Sequence, residues 1–287
     1  MRNAINSPFR YAGGKYYARK LILEHILPHN YYIEPFVGGG SIFFAKEKVQ
    51  NSWLNDLDED LINTYIHIRD YPEELINFLK GKPALKELHA YYKNDYVPQS
   101  DLERAGRWYY LNRTSFSGIM NKQNCYWGYD DKYSKRPENW PKAIRSASEK
   151  LQGVKITKLD FEEVISNVPD NSFLFIDPPY YNADQEKFYT CGFNKIDHLR
   201  LEKVLRKHSG RIKFLLTYDN TSEVKELYHW CYEPLEREWN YKINRTDNQK
   251  KCVGKETTVI TKGKRYKGKE IFITNFETFD ELAINNN

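Results

Sequence analysis

Near the middle of the chain an acid, two prolines and two tyrosines follow one another in "FIDPPYYN", Phe175 to Asn182. The apolar run before them, "SFLFI", reads as a buried strand, so the acid stands where that strand ends. A residue before proline is driven toward extended backbone, and Pro178 and Pro179 bring carbonyls but no N–H groups. Asp177 is thereby held rigidly beside acceptors only. A carboxylate next to a free carbonyl matches an exocyclic amino group, which offers two donors. Tyr180 would supply a flat face for the ring that carries such an amine. A plain Pro-Pro turn with an exposed aspartate would read the same way.

Two other stretches carry similar potential. In "EPFVGGGS", Glu34 to Ser41, a strand runs into a glycine turn where backbone can approach a nucleotide-like ligand. Asp56, about 20 residues on and after a second strand, is placed to accept hydrogen bonds from ribose hydroxyls. A dinucleotide would want a third glycine where Phe43 stands. In "RYAGGK", Arg10 to Lys15, two glycines permit close approach and a lysine can neutralise a carboxylate. A tight turn without any ligand is the plain alternative for both.

These groups need a scaffold that brings strand ends together. "YYIEPF" and "SWLND" read as strands, "SIFFAKEK" as a helix capped by Ser41, and "DEDLINTYIHI" as a helix with Leu61, Ile62, Tyr65 and Ile68 on one face. Strand–helix–strand order implies a parallel sheet covered by helices. From about Tyr71 to Gly153 the alternation gives way to helical stretches and a polar, aromatic, turn-rich segment, "SFSGIMNKQNCYWGYDDKYSK". Alternation resumes with "VKITKLDFEEVI" and "SFLFID". Next come a helix over "KIDHLRLEKVLRKH", with Ile196, Leu199, Val204 and Leu205 inward, and the strands "RIKFLLTYDN" and "KEIFITNF". The expected division is 1–57 and 154–287 as one α/β domain, with 58–153 as a mostly helical insert.

The 287 residues, 40% hydrophobic and 29% charged, suit one large globular domain carrying an insertion. No apolar run approaches the ~20 residues that cross a bilayer, and the N-terminus lacks a signal-like segment. No membrane partner is expected, and a cytoplasmic location is. Cys125, Cys191, Cys231 and Cys252 are scattered and the histidines form no ligand motif, so no metal is expected. Between Lys242 and Lys269 stand ten Lys/Arg against two acids, within a chain whose net charge is only +5. Such a basic segment on a slightly acidic body suits a polyanion, and equally a solvated loop. As a phosphate clamp it would act through Lys262, Lys264 and Lys267.

Taken in order, "PFRYAGGK", "IEPFVGGGSIFF", "LNDLDEDLINTY", "LNRTSFSG" and "FIDPPYYN" closely resemble the Dam-like (D12 class, alpha group) DNA adenine-N6 methyltransferases. The likeness runs from about Pro8 to Tyr180, with weaker echoes in "FLLTYDN" and "EIFITNF". It implies a Rossmann-like sheet binding S-adenosyl-L-methionine, with a target-recognition insert before the Asp-Pro-Pro-Tyr motif, and base flipping in double-stranded DNA. By motif, Tyr11 and Lys15 would contact the cofactor, Lys15 near its methionine carboxylate. Glu34, Phe36, Gly38 and Gly40 would line its pocket. Asp56 would hold the ribose, Asp160 and Phe161 the adenine, and Asp177, Pro178, Pro179 and Tyr180 would form the catalytic motif.

The same likeness makes Asn112, Arg113 and Ser117 candidates for ordering or touching DNA, with a supporting role for Arg113 as the alternative. GATC-reading relatives commonly carry an arginine where this chain has Asn121, and the arginine fork is the usual reader of guanine. Its absence argues for a different target, read by Asn121, Lys122 and Gln123. An N4-cytosine methyltransferase would usually have serine in place of Asp177. A nucleotide-dependent oxidoreductase leaves the proline motif without a task, and an inactive DNA-binding regulator would not need Asp56 and Asp177. The resemblance admits a cognate restriction endonuclease as partner, or an orphan or phage role, and a monomer is expected.

Overall fold

The computed structural model describes residues 4–131, 134–182, 190–240, 248–252, 258–262 and 267–278. In chain order come α1 (Arg19–Glu24), β1 (Tyr31–Glu34), α2 (Ser41–Ala45), β2 (Asn51–Asn55) and α3 (Glu59–Asp70). Then follow α4 (Pro72–Leu79), α5 (Lys86–Asn94), α6 (Asp101–Thr114), α7 (Trp140–Leu151), β3 (Lys155–Thr157), α8 (Phe161–Asn167) and β4 (Ser172–Ile176). After them come α9 (Lys195–His208), β5 (Ile212–Asp219), α10 (Ser222–Leu227), β6 (Leu235–Asn240), β7 (Asn248–Cys252), β8 (Thr258–Lys262) and β9 (Lys267–Thr274).

Seven strands form one sheet in the order β3-β2-β1-β4-β5-β9-β6. The pairs from β3 to β5 are parallel, and β9 and β6 are antiparallel additions. Every residue of β4 is buried, as a strand covered on both faces requires. Its side chains alternate between two cores. Phe173 and Phe175 join Tyr32, Leu54 and Tyr65 on one face. Leu174 and Ile176 join Ile33, Phe161, Leu205 and Phe214 on the other. The chain runs outward from β1 to β3 and returns through β4 on β1's other side, so the strand order reverses between β1 and β4. Ligands of open α/β sheets sit beyond the carboxyl ends of strands at that reversal.

Helices α3 to α7 pack on one another, and their Tyr65, Ile76, Tyr109, Trp140 and Ile144 share a continuous core with Tyr32 and Phe173 of the sheet. The polar segment after α6 is tied back on itself by Phe116 N–H to the Tyr126 carbonyl (2.8 Å) and Gly128 N–H to the Thr114 carbonyl (2.9 Å).

Two local expectations change. Ser41 is the first residue of α2, and the cap is Gly40 in the left-handed region, with no side-chain cap. On α9, Val204 and Leu205 face inward as expected, but Ile196 and Leu199 are 67% and 45% exposed. His198 and Glu202 take inward positions instead, because each finds a partner there: the Tyr218 hydroxyl for His198, and Trp230 Nε1–H at 2.8 Å for Glu202.

Candidate active site

The glycine turn after β1 is built by close approach. Gly38 and Gly40 have φ of 45° and 62°, which side chains rarely adopt. The Tyr11 ring lies over the turn, so a Cβ on Gly38 would fall 2.8 Å from it. The Tyr65 hydroxyl donates to the Gly38 carbonyl at 2.9 Å. Asp56, one residue past β2, accepts from Gly38 N–H at 2.9 Å and Asp58 N–H at 3.1 Å. Burial pushes its carboxyl up to about 6 despite those donors.

These groups wall a cleft of about 890 Å³ of free space, its open mouth included. Tyr11, Lys15, Glu34, Phe36, Gly38, Gly40, Asp56, Phe161, Asp177 and Pro179 all line it. Phe36, Phe161 and Phe193 gather at one side with ring centroids 5.4 to 5.6 Å apart. Glu34 is buried and accepts from the Tyr32 hydroxyl at 2.6 Å, and burial pushes it up to about 8. Thr190, beyond the prolines, joins the wall and donates to Asp58 at 2.7 Å.

Asp177 stands at the end of β4 on the wall of this cleft. Its carboxylate is engaged by two neighbours. The Lys15 ammonium lies 2.7 Å from Oδ1 and 2.8 Å from Oδ2, and Thr217 Oγ1 donates to Oδ1 at 2.7 Å. Lys15, expected near a cofactor carboxylate, lines the cleft and is engaged there by Asp177. With 4% of its side chain exposed, Lys15 sits at the cleft floor as the counter-charge of Asp177. The same ammonium lies 4.9 Å from the centre of the Tyr180 ring. The turn after the prolines is fixed by Asp219, which accepts from the N–H groups of Tyr181 (3.0 Å) and Asn182 (3.1 Å).

Other expected residues lie elsewhere. Asp160 does not line the cleft: it caps α8 through Glu162 N–H (2.9 Å) and pairs with Arg200 at 2.7 Å. Asn112 is fully buried. It accepts from Arg10 N–H (2.9 Å) and donates to the Arg10 carbonyl (2.7 Å), clamping the glycine loop onto α6. Arg113 is likewise buried and reaches the Pro8 carbonyl at 3.4 Å, so the supporting role is the one its position fits. Gly118 abuts the Arg10 backbone so closely that a Cβ would fall 2.2 Å from its carbonyl oxygen. This block thus grips the glycine loop at Arg10, and Asn112 and Arg113 themselves are buried away from the surface. Ser117, half-buried, has φ of 55°. Asn121 caps its own turn by accepting from Gln123 N–H at 3.0 Å, while Lys122 and Gln123 are exposed. Lys264 lies outside the described residues, as do the side chains of Lys262 and Lys267, whose backbones end β8 and begin β9.

Sequence reasoning missed Thr217, Asp219 and Glu270. The first two stand in "FLLTYDN", whose polar end on an apolar strand was the available signal. Among the described residues no cluster of three metal-ligating side chains occurs, and no helix is long and apolar enough to cross a membrane.

A family model described as D12 class N6 adenine-specific DNA methyltransferase matches residues 11–243. The type II methyltransferase M1.LlaDCHI of Lactococcus lactis subsp. cremoris is 31% identical over 250 residues, covering 79% of this chain and 86% of that protein. The DNA N-6-adenine-methyltransferase of Escherichia phage P1 is 29% identical, over 80% of this chain and 32% of its own length. A DNA adenine methylase of Vibrio cholerae is 25% identical, over 76% and 83%.

Proposed function

The chain belongs to the D12 class of N6-adenine-specific DNA methyltransferases, and from that premise we propose that Asp177 and the Pro178 carbonyl receive the two N6 hydrogens of an everted adenine. The observation that carries this reading is the position of Asp177, at the end of β4 on the wall of the cleft that the glycine turn shapes.

The cleft fits S-adenosyl-L-methionine in kind. Phe36, Phe161 and Phe193 offer flat apolar faces for an adenine, and the buried carboxyl of Asp56 on the same cleft would accept from ribose hydroxyls. The close-packed Gly38 leaves room that a side chain would take. When bound, the cofactor would supply an electrophilic methyl group. The chain's own task is to make a poor nucleophile competent. The N6 lone pair is delocalised into the purine ring, and acceptors on both hydrogens favour a pyramidal nitrogen with its lone pair localised. Such preorganised acceptors, with positioning, supply rate without a strong base. A carboxylate has about four lone-pair sites, so Asp177 retains capacity beside Lys15 and Thr217. Tyr180 would stack on the base once it has left the duplex.

In this reading 58–153 forms the target-recognition subdomain of a catalytic domain made of 1–57 and 154–287. The exposed Lys122 and Gln123 would meet the bases, and Lys262, Lys264 and Lys267 the phosphates. Relatives named as type II methyltransferases support a restriction–modification setting with a cognate endonuclease. Long-read modification mapping of DNA from cells expressing the protein tests the assignment. N6-methyladenine in one sequence context is expected; N4-methylcytosine, or no mark at all, would overturn it.

A further inference from the structure

Lys15 and Asp177 line the cleft, and a third ionisable side chain that the reading above does not employ lies beside Lys15. The third is Glu270 of β9, with 1% of its side chain exposed. Among the described residues neither of its carboxyl oxygens receives a hydrogen bond of good geometry. The Lys15 ammonium stands 3.8 Å from Oε2, with the Tyr180 hydroxyl also beside it. Asp177 faces it from the end of β4, and Asp219, its register partner on β5, from the neighbouring strand. An ionised carboxylate buried with so few donors is strongly disfavoured. Burial pushes Glu270 up to about 8, Lys15 opposing and Asp177 adding to the rise. Of the acids beside Lys15, Glu270 is the one that burial favours in its protonated form near neutral pH.

That arrangement leaves Asp177 one open lone-pair site, on Oδ2 beside the Lys15 ammonium. The adenine amine needs lone pairs of Asp177, and Lys15 and Thr217 already occupy three of the carboxylate's hydrogen-bonding positions. Resting on the methyltransferase reading, we propose that Glu270 is the second seat of the Lys15 ammonium. With a cationic sulfonium in the cleft, Lys15 moves across to Glu270 and so frees Asp177 for the amine. Glu270 gives its proton to solvent as it takes the ammonium, so the net charge of the three groups falls by one. A cationic sulfonium in the cleft balances that charge. Methyl transfer removes the sulfonium charge, N6 sheds one proton, Glu270 regains one, and Lys15 returns to Asp177. Glu270 acts through Lys15 and touches no substrate, so it is a positioning residue.

The test is calorimetric titration of the intact protein with S-adenosylmethionine and with S-adenosylhomocysteine near pH 7, in two buffers of different ionisation enthalpy. Wild type should release more protons with the charged sulfonium than with the neutral thioether, and Glu270→Gln should abolish that difference. In single-turnover methylation Glu270→Gln should be slower by roughly tenfold or more with cofactor affinity little changed. The wild-type rate should climb with pH as Glu270 ionises, and the Gln variant should lose that rise. Glu270→Asp should restore part of it. Equal proton release for the two ligands in wild type overturns the proposal even if the Gln variant fails to fold. So does a Gln variant with wild-type rate and pH profile. Normal methylation with either result removes Glu270's role alone, whereas no cofactor binding and no N6-methyladenine in wild type removes the methyltransferase reading itself.

Discussion

Replacing Asn112 with alanine separates a structural clamp from a DNA contact. The Asn112 amide is fully buried and satisfies both the N–H and the carbonyl of Arg10, at 2.9 and 2.7 Å. Alanine leaves two backbone groups without partners, each worth about 1–3 kcal/mol when buried. Arg10 is only half-buried, so water recovers part of that. The expected loss is about 2–4 kcal/mol of unfolding free energy, read as a lower urea midpoint by tryptophan fluorescence. The loop released carries Tyr11 and Lys15 into the cleft. Cofactor affinity should therefore fall by about tenfold, the equivalent of ~1.4 kcal/mol. DNA affinity measured without cofactor should change little. An unchanged urea midpoint together with lost DNA affinity would refute the reasoning and return Asn112 to the DNA interface.

Gly38→Ala places a Cβ 2.8 Å from the Tyr11 ring at a φ of 45°, so cofactor affinity should drop by roughly tenfold or more. Wild-type affinity by titration calorimetry would count against the close-packed turn. Glu34, pushed up to about 8 by burial, keeps its proton in the folded chain while the unfolded chain loses it around the ordinary 4.5. The folded state then binds more protons between those values, so stability falls as pH rises from about 5 to 8, by up to ~1.4 kcal/mol per pH unit. Glu34→Gln should flatten that fall in urea midpoints by about one proton's worth; an identical slope would contradict it. Charge reversal at Lys262, Lys264 and Lys267 should weaken DNA binding across all sequences and lower the salt slope by up to about 3. An unchanged slope removes the phosphate clamp.

What was legible in the sequence is what local chemistry decides. The apolar run of β4 had to be buried, the prolines had to end it, and Leu61, Ile62, Tyr65 and Ile68 had to face the core, as they do. The side chains of Gly-turn and proline motif converge because strand ends at a topological reversal converge. What escaped was pairing across long separations. Lys15 meets Asp177 across 162 residues, and nothing local distinguishes that partner from a cofactor carboxylate. Asn112 resembled a DNA contact because a buried amide clamping a distant loop has the same sequence signature as an exposed one. On α9 the inward stripe includes His198 and Glu202, which apolar periodicity assigns to solvent until Tyr218 and Trp230 are in place. Glu270 was hidden where the basic stretch ending at Lys269 runs into the strand "KEIFITNF", and nothing local marks it as buried.

Asp177→Ala offers the most direct test of the proposed chemistry, because Glu270 remains to offset Lys15 and the cleft walls stay in place. S-adenosylmethionine binding by calorimetry and radiolabelled methyl transfer into double-stranded DNA are measured on the same preparation. The expected result is cofactor affinity close to wild type with transfer abolished. An Asp177→Ala protein that still forms N6-methyladenine at a comparable rate would contradict the account.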